Sequence, residues 1–314
     1  MQQSIASCFE LYLARSDLRP SSVRFKKQAL GHFLKWFGDV PIETVSAAMA
    51  EDYRTMLVKE GRSKRTANGY LANFRPFFNW LRRHGRIDAN PFDAVRAYRI
   101  TEQAKETFTS SELGRLLRVS DELWQIRICM GLLGCRRGEM LNIVVGDIHL
   151  DADVPHIVLS PKSPGPDTWG WELKDHAIRY VAVPDVMDFD GIGIRLRDLI
   201  RRQMNDIPRS QPYVLLEPRH CKRNIGKEWV PDPTWNFQRM FRRIQAKAQI
   251  EPPRRYHELR AAFATTMISK VGLSRAADAL GHSTTQITRK YDRHSEMSLL
   301  AEINDAIREG YKKT

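Results

Sequence analysis

The stretch LGHSTTQITRKYDRHSEM, residues 280–297, places Tyr291 nine residues after the pair Gly281 and His282. A tyrosine that follows Ile287 by four residues is usually a half-buried core aromatic, because residues at this spacing share one face of a helix. The stretch is short and basic, so taken alone it does not distinguish a core tyrosine from a functional one. The rest of the chain decides between these interpretations.

The size and composition of the chain limit what kind of protein it is. Its 314 residues are enough for two domains that each bury a core. Hydrophobic residues make up 42% of it, and no apolar run is long enough to cross a membrane. The N-terminus, MQQSIASCFELYLARS, lacks a signal-peptide pattern, so we expect a cytoplasmic protein. The cysteines give neither zinc-binding spacing nor a disulfide framework, and Cys129 and Cys135 fall in apolar helical patterns typical of core positions.

The charge of the chain points to a class of partner. Fifty lysines and arginines stand against 37 aspartates and glutamates, which gives a formal net charge of +13 and a pI of about 9.7. Such an excess favours a polyanionic partner, DNA or RNA, although it also serves solubility. The basic residues are spread over many segments and do not form one amphipathic helix, which argues against a membrane surface.

Residues 1–98 have the apolar periodicity of four or five helices joined by short loops. Two of them, SSVRFKKQALGHFLKWFG (21–38) and SKRTANGYLANFRPFFNWLRRHG (63–85), carry apolar stripes. Pro76 interrupts the second pattern, and we expect a kinked helix there, with two helices as the alternative. The residues predicted to form the stripes are Val23, Leu30, Phe33, Leu34, Phe37, Tyr70, Phe74, Phe78 and Leu81.

The chain changes character after residue 98. A polar segment, 99–107, is predicted to be a linker, and Thr109 with Glu112 resembles a capping box that opens a new helix. The fold we expect is mainly α with a small β-sheet: a helical N-terminal domain and a mixed α/β second domain. Helices are predicted up to about residue 145 and at about 192–205, 234–249, 257–270, 274–280 and 284–293, with β-like segments at 154–160 and 178–184.

Two further stretches carry charged groups that could grip a phosphodiester. In GCRRGEML (134–141), Arg136 follows a predicted helix end and precedes Glu139 by three residues. In YHELRAAFATTM (256–267), His257 and Arg260 lie one turn apart and project from the same helical face. A surface ion pair and a surface His–Arg pair are the ordinary interpretations of these two stretches when each is taken alone.

In their order along the chain, these motifs resemble the tyrosine recombinase (phage integrase) family. The family's Gly-x-Arg-x-x-Glu pattern falls on Gly134, Arg136 and Glu139, and its His-x-x-Arg box falls on His257 and Arg260. Its Gly-His pair and nucleophilic tyrosine fall on residues 281, 282 and 291. Each motif is weak singly, but four in the right order across a basic chain are specific. The helical N-terminal region also resembles the family's core-binding domain, and the Xer-like, two-domain members are the most similar.

The resemblance also implies a catalytic lysine on a β-hairpin between the first two boxes. Lys174, in LKDHAIRYVAVP, fits the family pattern best. The connection here is long, however, and Lys162 is a second candidate. Ala261 is another departure, because many relatives carry a basic or aromatic residue after the box arginine.

The resemblance implies a site-specific recombinase that cleaves and rejoins DNA through a 3′-phosphotyrosyl intermediate. Arg136 and Arg260 would hold the non-bridging oxygens. Tyr291 would be the nucleophile, and since a phenol has a pKa of about 10 it needs a proton acceptor. His257 is the expected base and His282 the expected donor to the phosphate, although the sequence does not separate their roles. Lys174 would be the general acid on the 5′-oxygen. No ATP, metal or other cofactor is expected, because the ester keeps the energy of the broken bond.

The family also implies partners and assembly. We expect double-stranded recombination sites as the substrate, a monomer in solution and a homotetramer in the synaptic complex. The domains would be 1–98 (core-binding), 108–296 (catalytic) and 297–314, a C-terminal helix exchanged between protomers. The start of the chain suggests that the arm-binding domain of lambda-like integrases is absent. The basic residues expected to contact phosphates are Lys26, Lys27, Lys64, Arg65, Arg82 and Arg83.

Two other functions remain as alternatives. A type IB topoisomerase has a similar active site, but the domain layout and final helix favour a recombinase. A DNA-binding regulator without catalysis would not need every catalytic position to be filled. The source we expect is prokaryotic or phage-encoded, with a protein that works at the nucleoid. The sequence leaves the target DNA and the mobile element or replicon it serves undetermined.

Overall fold

The structure is a computed structural model that describes residues 3–15, 18, 20–101, 107–174, 178–230, 232–281, 285 and 288. The chain divides into two compact units, residues 1–104 and 105–314. The predicted fold class is confirmed: helices dominate, and the second unit contains small antiparallel sheets.

The first unit is helical. Serines open three of its helices, since the hydroxyls of Ser4, Ser46 and Ser63 each accept a hydrogen bond from a backbone N–H of the first turn. A short 3-10 helix, Ile42–Thr44, precedes the third. The helices are α1 (Ile5–Ala14), α2 (Pro20–Phe37), α3 (Ala47–Lys59) and α4 (Lys64–Arg83).

The stripe of α4 forms the centre of this unit, as predicted. Tyr70, Phe74, Phe78 and Leu81 are all at most 1% exposed. The ring of Phe74 packs against the rings of Phe9, Phe33, Tyr53 and Phe92. Aromatic pairs of this kind stabilise a core beyond the area they bury.

Pro76 lies inside α4, which runs as one helix from Lys64 to Arg83. The alternative of two separate helices is therefore wrong. Proline deprives the carbonyl of Ala72 of its usual helical donor, which costs stability. Phe77 and Phe78 on the same turn are fully buried, and this packing offsets the cost.

The second unit begins with the predicted capping box: Thr109 accepts from the backbone of Glu112, whose carboxylate accepts in return. Helix α6 (Glu122–Leu132) is buried on most faces and lies against α11 (His257–Val271). The backbone of Gly131 approaches α11 so closely that a Cβ at this position would lie 2.9 Å from the Cβ of Leu259. Cys129 is fully buried, as predicted. The helices are α5 (Ser110–Arg118), α6 (Glu122–Leu132), α7 (Arg137–Leu141), α8 (Leu196–Asp206), α9 (Pro218–Asn224), α10 (Phe237–Lys247), α11 (His257–Val271) and α12 (Leu273–Leu280).

Two small antiparallel sheets accompany these helices. The first has the order β1-β2-β3, with β1 at Ile148–His149, β2 at His156–Leu159 and β3 at Arg179–Ala182. The predicted strands at 154–160 and 178–184 are thus confirmed. The second sheet is a hairpin of β4 (Val186–Phe189) and β5 (Ile192–Arg195).

The hairpin corrects one prediction, that a helix begins at about residue 192. Residues 192–195 form β5, and the helix begins only at Leu196. Asp190 and Gly191 link the two strands with positive φ angles of 56° and 77°. A two-residue Asp-Gly turn of this kind matches the twist of a β-hairpin.

Within the described residues, no helix is both long and apolar enough to cross a membrane.

Candidate active site

The turn between α6 and α7 positions Arg136. Gly134 has a φ of +84°, and a Cβ there would lie 2.7 Å from the ring of Phe263 on α11, so the turn requires glycine. Arg136 follows at the N-cap of α7. Glu139 accepts both from the backbone N–H of Arg136 at 2.7 Å and from its Nη1 at 2.7 Å. The predicted pairing of these residues is present, but it lies inside the protein, since the side chain of Glu139 is 2% exposed.

Glu139 is shared by three arginines. Arg179 donates from Nη2 to Oε2 at 2.5 Å, and Nη1 of Arg260 lies 3.7 Å from the same oxygen. Burial alone would raise the pKa of Glu139, but Arg179, Arg136 and Arg260 hold it below its ordinary value. One carboxylate therefore faces three guanidiniums, which leaves an excess of positive charge that suits an anion.

Arg260 is fully buried on the first turn of α11. Its Nη1 donates to the carbonyl oxygen of Gly134, and its Nη2 donates to that of Leu280 at 2.6 Å. Burial, followed by the nearby charge of Arg136, lowers the pKa of Arg260 to about 10. The side chain is still charged at neutral pH, so it can serve as an electrophilic group.

His257 opens α11, one turn before Arg260. Its ring reaches solvent, yet enough protein surrounds it that desolvation lowers its pKa from the ordinary value, and the charges of Arg260, Arg136 and Lys174 lower it further. A histidine with a lowered pKa is mostly neutral at pH 7 and can accept a proton. The influence of Lys174 also places that ammonium within electrostatic range of His257.

The two candidate lysines have different surroundings. Lys174 lies in an exposed turn before β3. The ammonium of Lys162 pairs with Asp147 at 2.9 Å and donates to the hydroxyl and carbonyl of Ser160, with 9% of its side chain exposed. Lys162 therefore has a structural role, and Lys174 is the better candidate for chemistry.

Arg179 is the residue of this site that the sequence analysis did not assign. It lies at the first position of β3 and donates to Glu139, to the carbonyl oxygen of Gly134 at 3.0 Å and to that of Ala279 at 3.0 Å. The alternation of the strand carried a signal, because Arg179 and Val181 face inward and Tyr180 faces outward. A charge at an inward position needs a buried partner.

Comparison with known proteins decides the family. Residues 106–297 match the Phage integrase family model, and this range contains all six predicted catalytic residues. The chain belongs to the phage integrase family.

Curated relatives of this integrase-family chain are tyrosine recombinases. The protein from Thermosipho africanus is 25% identical over 286 residues, covering 86% of this chain and 88% of the relative. The tyrosine recombinase XerC of Vibrio vulnificus is 25% identical over 256 residues, covering 79% and 72%. Membership of the family confirms the prediction that the protein is a site-specific DNA recombinase, an enzyme that transfers DNA strands, and it does not favour the topoisomerase or the regulator.

Solved integrase structures share the fold. A lambda integrase dimer bound to a COC′ core site has a TM-score of 0.69 at 16% identity and covers 94% of this chain and 98% of that one. The Tn1549 transposon integrase in complex with a circular intermediate DNA has a TM-score of 0.73 at 16% identity, covering 95% and 98%.

Two predicted catalytic residues of the integrase, His282 and Tyr291, lie outside the described residues, as does the segment 297–314. Helix α12 ends at Leu280, and Gly281 follows in the left-handed conformation with a φ of 63°. The described site thus contains Arg136, Lys174, His257 and Arg260, and it extends to the residue directly before His282.

The basic residues of the first unit fall into two groups. Lys26 is 7% exposed; its Nζ donates to the carbonyl oxygen of Asn73 at 3.5 Å and lies 5.4 Å from the ring centre of Tyr12. Burial also lowers the pKa of Lys26. Lys26 precedes Ala29, Leu30 and Phe33 by three, four and seven residues and so lies on the apolar face of α2. Phosphate binding by Lys26 stays a prediction, which its burial does not favour.

The other five are on the surface. Lys27 pairs with Glu10 at 2.9 Å across two exposed side chains, which costs little to break. Arg82 and Arg83 line an open groove of about 660 Å³, together with Arg15. Lys64 and Arg65 are exposed at the start of α4. Phosphate binding by these five residues stays a prediction.

Proposed function

We propose that the protein cleaves a DNA strand at a specific site by attack of Tyr291 on a phosphodiester, and that it rejoins the strand to a new partner. The observation that carries this proposal is the cluster of Arg136, Arg179 and Arg260 around the carboxylate of Glu139. A partly buried excess of positive charge beside a neutral histidine suits a phosphodiester that becomes more negative in its transition state.

Arg136 and Arg260 hold the scissile phosphate. Each guanidinium can fork onto the non-bridging oxygens, which a lysine cannot reproduce. Because their positions are fixed by Glu139, Gly134 and Leu280, they stabilise the pentacoordinate state without reorganising. Loss of one such donor typically reduces the rate by about 100- to 1,000-fold.

The proton transfers use the remaining residues. His257 accepts the phenolic proton as the Tyr291 oxygen bonds to phosphorus, and its lowered pKa supports this role. His282 donates to a phosphate oxygen. The bond from phosphorus to the 5′-oxygen breaks, and Lys174 gives that oxygen a proton. The products are a 3′-phosphotyrosyl ester and a free 5′-hydroxyl.

The ester explains why the reaction needs no ATP and no metal. It replaces one phosphodiester by another, so a second 5′-hydroxyl can attack it and restore the DNA backbone. The positive charge that a metal supplies in other phosphoryl-transfer enzymes is supplied here by guanidiniums.

The partner is duplex DNA, and the assembly is a homotetramer formed from free monomers. Similar integrases were solved on a core site, on a circular intermediate and, as a tetramer, on a Holliday junction, which supports this assembly. The roles we assign are DNA binding by residues 1–98, a linker at 99–107, catalysis by 108–296 and exchange of the helix 297–314. A cytoplasmic location follows from a DNA substrate.

One experiment tests the proposal in two steps. The protein first selects its site from a random duplex pool, and a nicked duplex with that site is then incubated with wild type and with Tyr291→Phe. A covalent adduct with wild type alone supports the proposal. No adduct from wild type, despite tight binding, indicates a regulator, and relaxation of any supercoiled plasmid indicates a topoisomerase.

A further inference from the structure

Arg179 connects three separate segments of the catalytic unit through one side chain that is 9% exposed. It contacts Gly134 in the turn before α7, Glu139 within α7 and Ala279 near the end of α12. We propose that Arg179 is a positioning residue for strand cleavage, which orients Arg136 through Glu139 and fixes the exit of the chain from α12 directly before His282. This inference rests on the proposed function.

The first link acts through the carboxylate. Oε2 of Glu139 accepts from Nη2 of Arg179 at 2.5 Å and from the backbone N–H of Arg136 at 2.7 Å. Oε1 is thereby turned toward Nη1 of Arg136, also at 2.7 Å. Without Arg179, Oε2 would keep the cation of Arg260 at 3.7 Å. The carboxylate would then rotate toward Arg260, and Arg136 would lose the contact that fixes its guanidinium.

The second link acts through a helix end. The last carbonyls of a helix have no partner within it and carry its negative end. In α12, Nη1 of Arg179 donates to Ala279 at 3.0 Å, and Nη2 of Arg260 donates to the next carbonyl, that of Leu280, at 2.6 Å. A Cβ on Gly281 would lie 2.8 Å from Cδ of Arg179, so the aliphatic part of the side chain lies directly against the residue before His282.

Stability alone does not account for this arrangement. Burying a third guanidinium beside one carboxylate costs desolvation that two arginines would avoid, and apolar replacements of buried ion pairs are often at least as stable. A site prepared for a phosphate gains from the extra cation, since the anion completes the charge balance. Accurate placement matters for such a site, because an error of about 1 Å can reduce the rate by about 100-fold.

The test compares Arg179→Met and Arg179→Lys with wild type on the nicked duplex that carries the selected site. Arg202→Met is the matched control, because Arg202 lies in the same unit but forms an exposed pair with Glu122, with 53% of its side chain accessible. The measurements are the single-turnover rate of adduct formation at saturating DNA, the DNA dissociation constant and the melting temperature. We expect Arg179→Met to lose about 10- to 100-fold in rate with an unchanged dissociation constant, and Arg202→Met to match wild type.

The pH profile separates positioning from other roles. Among the described residues, the groups that face Glu139 are Arg136 from the N-cap of α7, Arg179 from β3, Arg260 from α11 and the thiol of Cys135. Burial raises the pKa of that thiol to about 12, so it stays neutral. Arg179 exerts the largest of the charge effects that lower the pKa of Glu139. Arg179→Met should therefore raise that pKa and add to the acid limb set by His257 a second loss of rate at lower pH, where Glu139 takes up a proton. Arg179→Lys keeps the charge and should restore the wild-type limb while recovering only part of the rate.

A double substitution shows whether Arg179 acts through Glu139. If it does, Arg179→Met combined with Glu139→Gln should lose less than the product of the two single losses. The inference is overturned by wild-type rates in Arg179→Met, or by a loss of equal size at every pH, which would mean direct contact with the phosphate. If DNA binding weakens and the melting temperature falls together with the rate, Arg179 has a structural role and not a positioning role. If wild type itself forms no adduct, the proposed function fails, and the positioning role fails with it.

Discussion

Arg260 donates from Nη2 to the carbonyl oxygen of Leu280 at 2.6 Å, so the arginine of the second box holds the chain two residues before His282. The two residues belong to α11 and α12, which pack against each other. Arg260 therefore stabilises the fold, in addition to the phosphate contact that we propose for it. Arg136 has 20% of its side chain exposed, and it pairs with Glu139 within its own turn.

This difference predicts unequal effects of the same substitution. Arg136→Lys and Arg260→Lys should each reduce single-turnover cleavage by about 100- to 1,000-fold, because a lysine cannot fork onto two phosphate oxygens. Only Arg260→Lys should also lower the melting temperature clearly, since it removes the donor to the carbonyl of Leu280 and one of the two donors to the carbonyl of Gly134. Paired cleavage assays and thermal melts check this, and equal melting temperatures would contradict the structural role of Arg260.

Glu139→Gln should destabilise the second unit. The substitution removes the carboxylate that faces three guanidiniums, and breaking a buried ion pair on one side costs about 3–5 kcal/mol. Urea denaturation at pH 7 measures the loss in the free energy of unfolding. Glu122→Gln is a suitable control, because Glu122 forms an exposed pair with Arg202 and should change stability little.

The same carboxylate gives a pH dependence of stability in wild type. The pKa of Glu139 is lower in the folded state than in the unfolded chain, so the unfolded chain binds the proton first as the pH falls. The contribution of Glu139 is complete above the unfolded pKa of about 4.3 and disappears as the pH drops through the folded value. As the pH is lowered below about 4.3, the urea concentration at the denaturation midpoint should therefore decrease more steeply in wild type than in Glu139→Gln.

The fold and much of the site could be predicted because their signals are local. The α4 stripe and the Thr109–Glu112 capping box depend on residues within four positions of each other, and the structure has both. The start of β5 was missed although Asp190–Gly191 is a hairpin signal, because the apolar pattern of the following helix α8 was extended backward over the strand. Lys26 lies on the buried face of α2, which its charge alone does not predict.

The contacts of Arg179 are of a kind that local sequence patterns do not predict. Its three partners lie 40, 45 and 100 residues away along the chain, and no spacing in the sequence reports such contacts. The sequence left the choice between Lys162 and Lys174 open for the same reason. Asp147 becomes a partner of Lys162 only when β1 pairs with β2. Tertiary contacts of buried charges, therefore, were the part that needed the structure.

His257 should control the acid side of the cleavage profile. A general base must be neutral to accept a proton, and the pKa of His257 lies below the ordinary histidine value of about 6.5. The single-turnover rate should therefore rise with pH and pass half of its plateau value below about pH 6.5, and this limb should disappear in His257→Gln together with most of the rate. A limb that persists unchanged in His257→Gln would move the role of base to another residue.

Lys174 and Lys162 should differ when the leaving group is changed. Lys174→Ala should cleave an ordinary nicked substrate slowly and a substrate with sulfur in place of the bridging 5′-oxygen almost normally, because a thiolate leaves without a proton. Lys162→Ala should instead lower the melting temperature, since it leaves Asp147 at 11% exposure without its cation. Its cleavage of the two substrates should keep the wild-type ratio. If the sulfur substrate rescued cleavage only in Lys162→Ala, Lys162 would be the general acid and Lys174 would not.

Removal of residues 297–314 tests the exchanged helix. If this segment docks on a neighbouring protomer, the truncated protein should bind a single site and form the adduct on a nicked duplex, yet fail to recombine two sites. Gel-shift titration measures single-site binding, and a two-duplex assay measures recombination. A mixture of the truncated protein with Tyr291→Phe provides the control. The Tyr291→Phe protomer can donate its helix to a truncated protomer, which still has Tyr291, so exchange would restore activity only in such mixed complexes. Recombination by the truncated protein alone at the wild-type rate would show that the segment packs on its own protomer or serves another purpose.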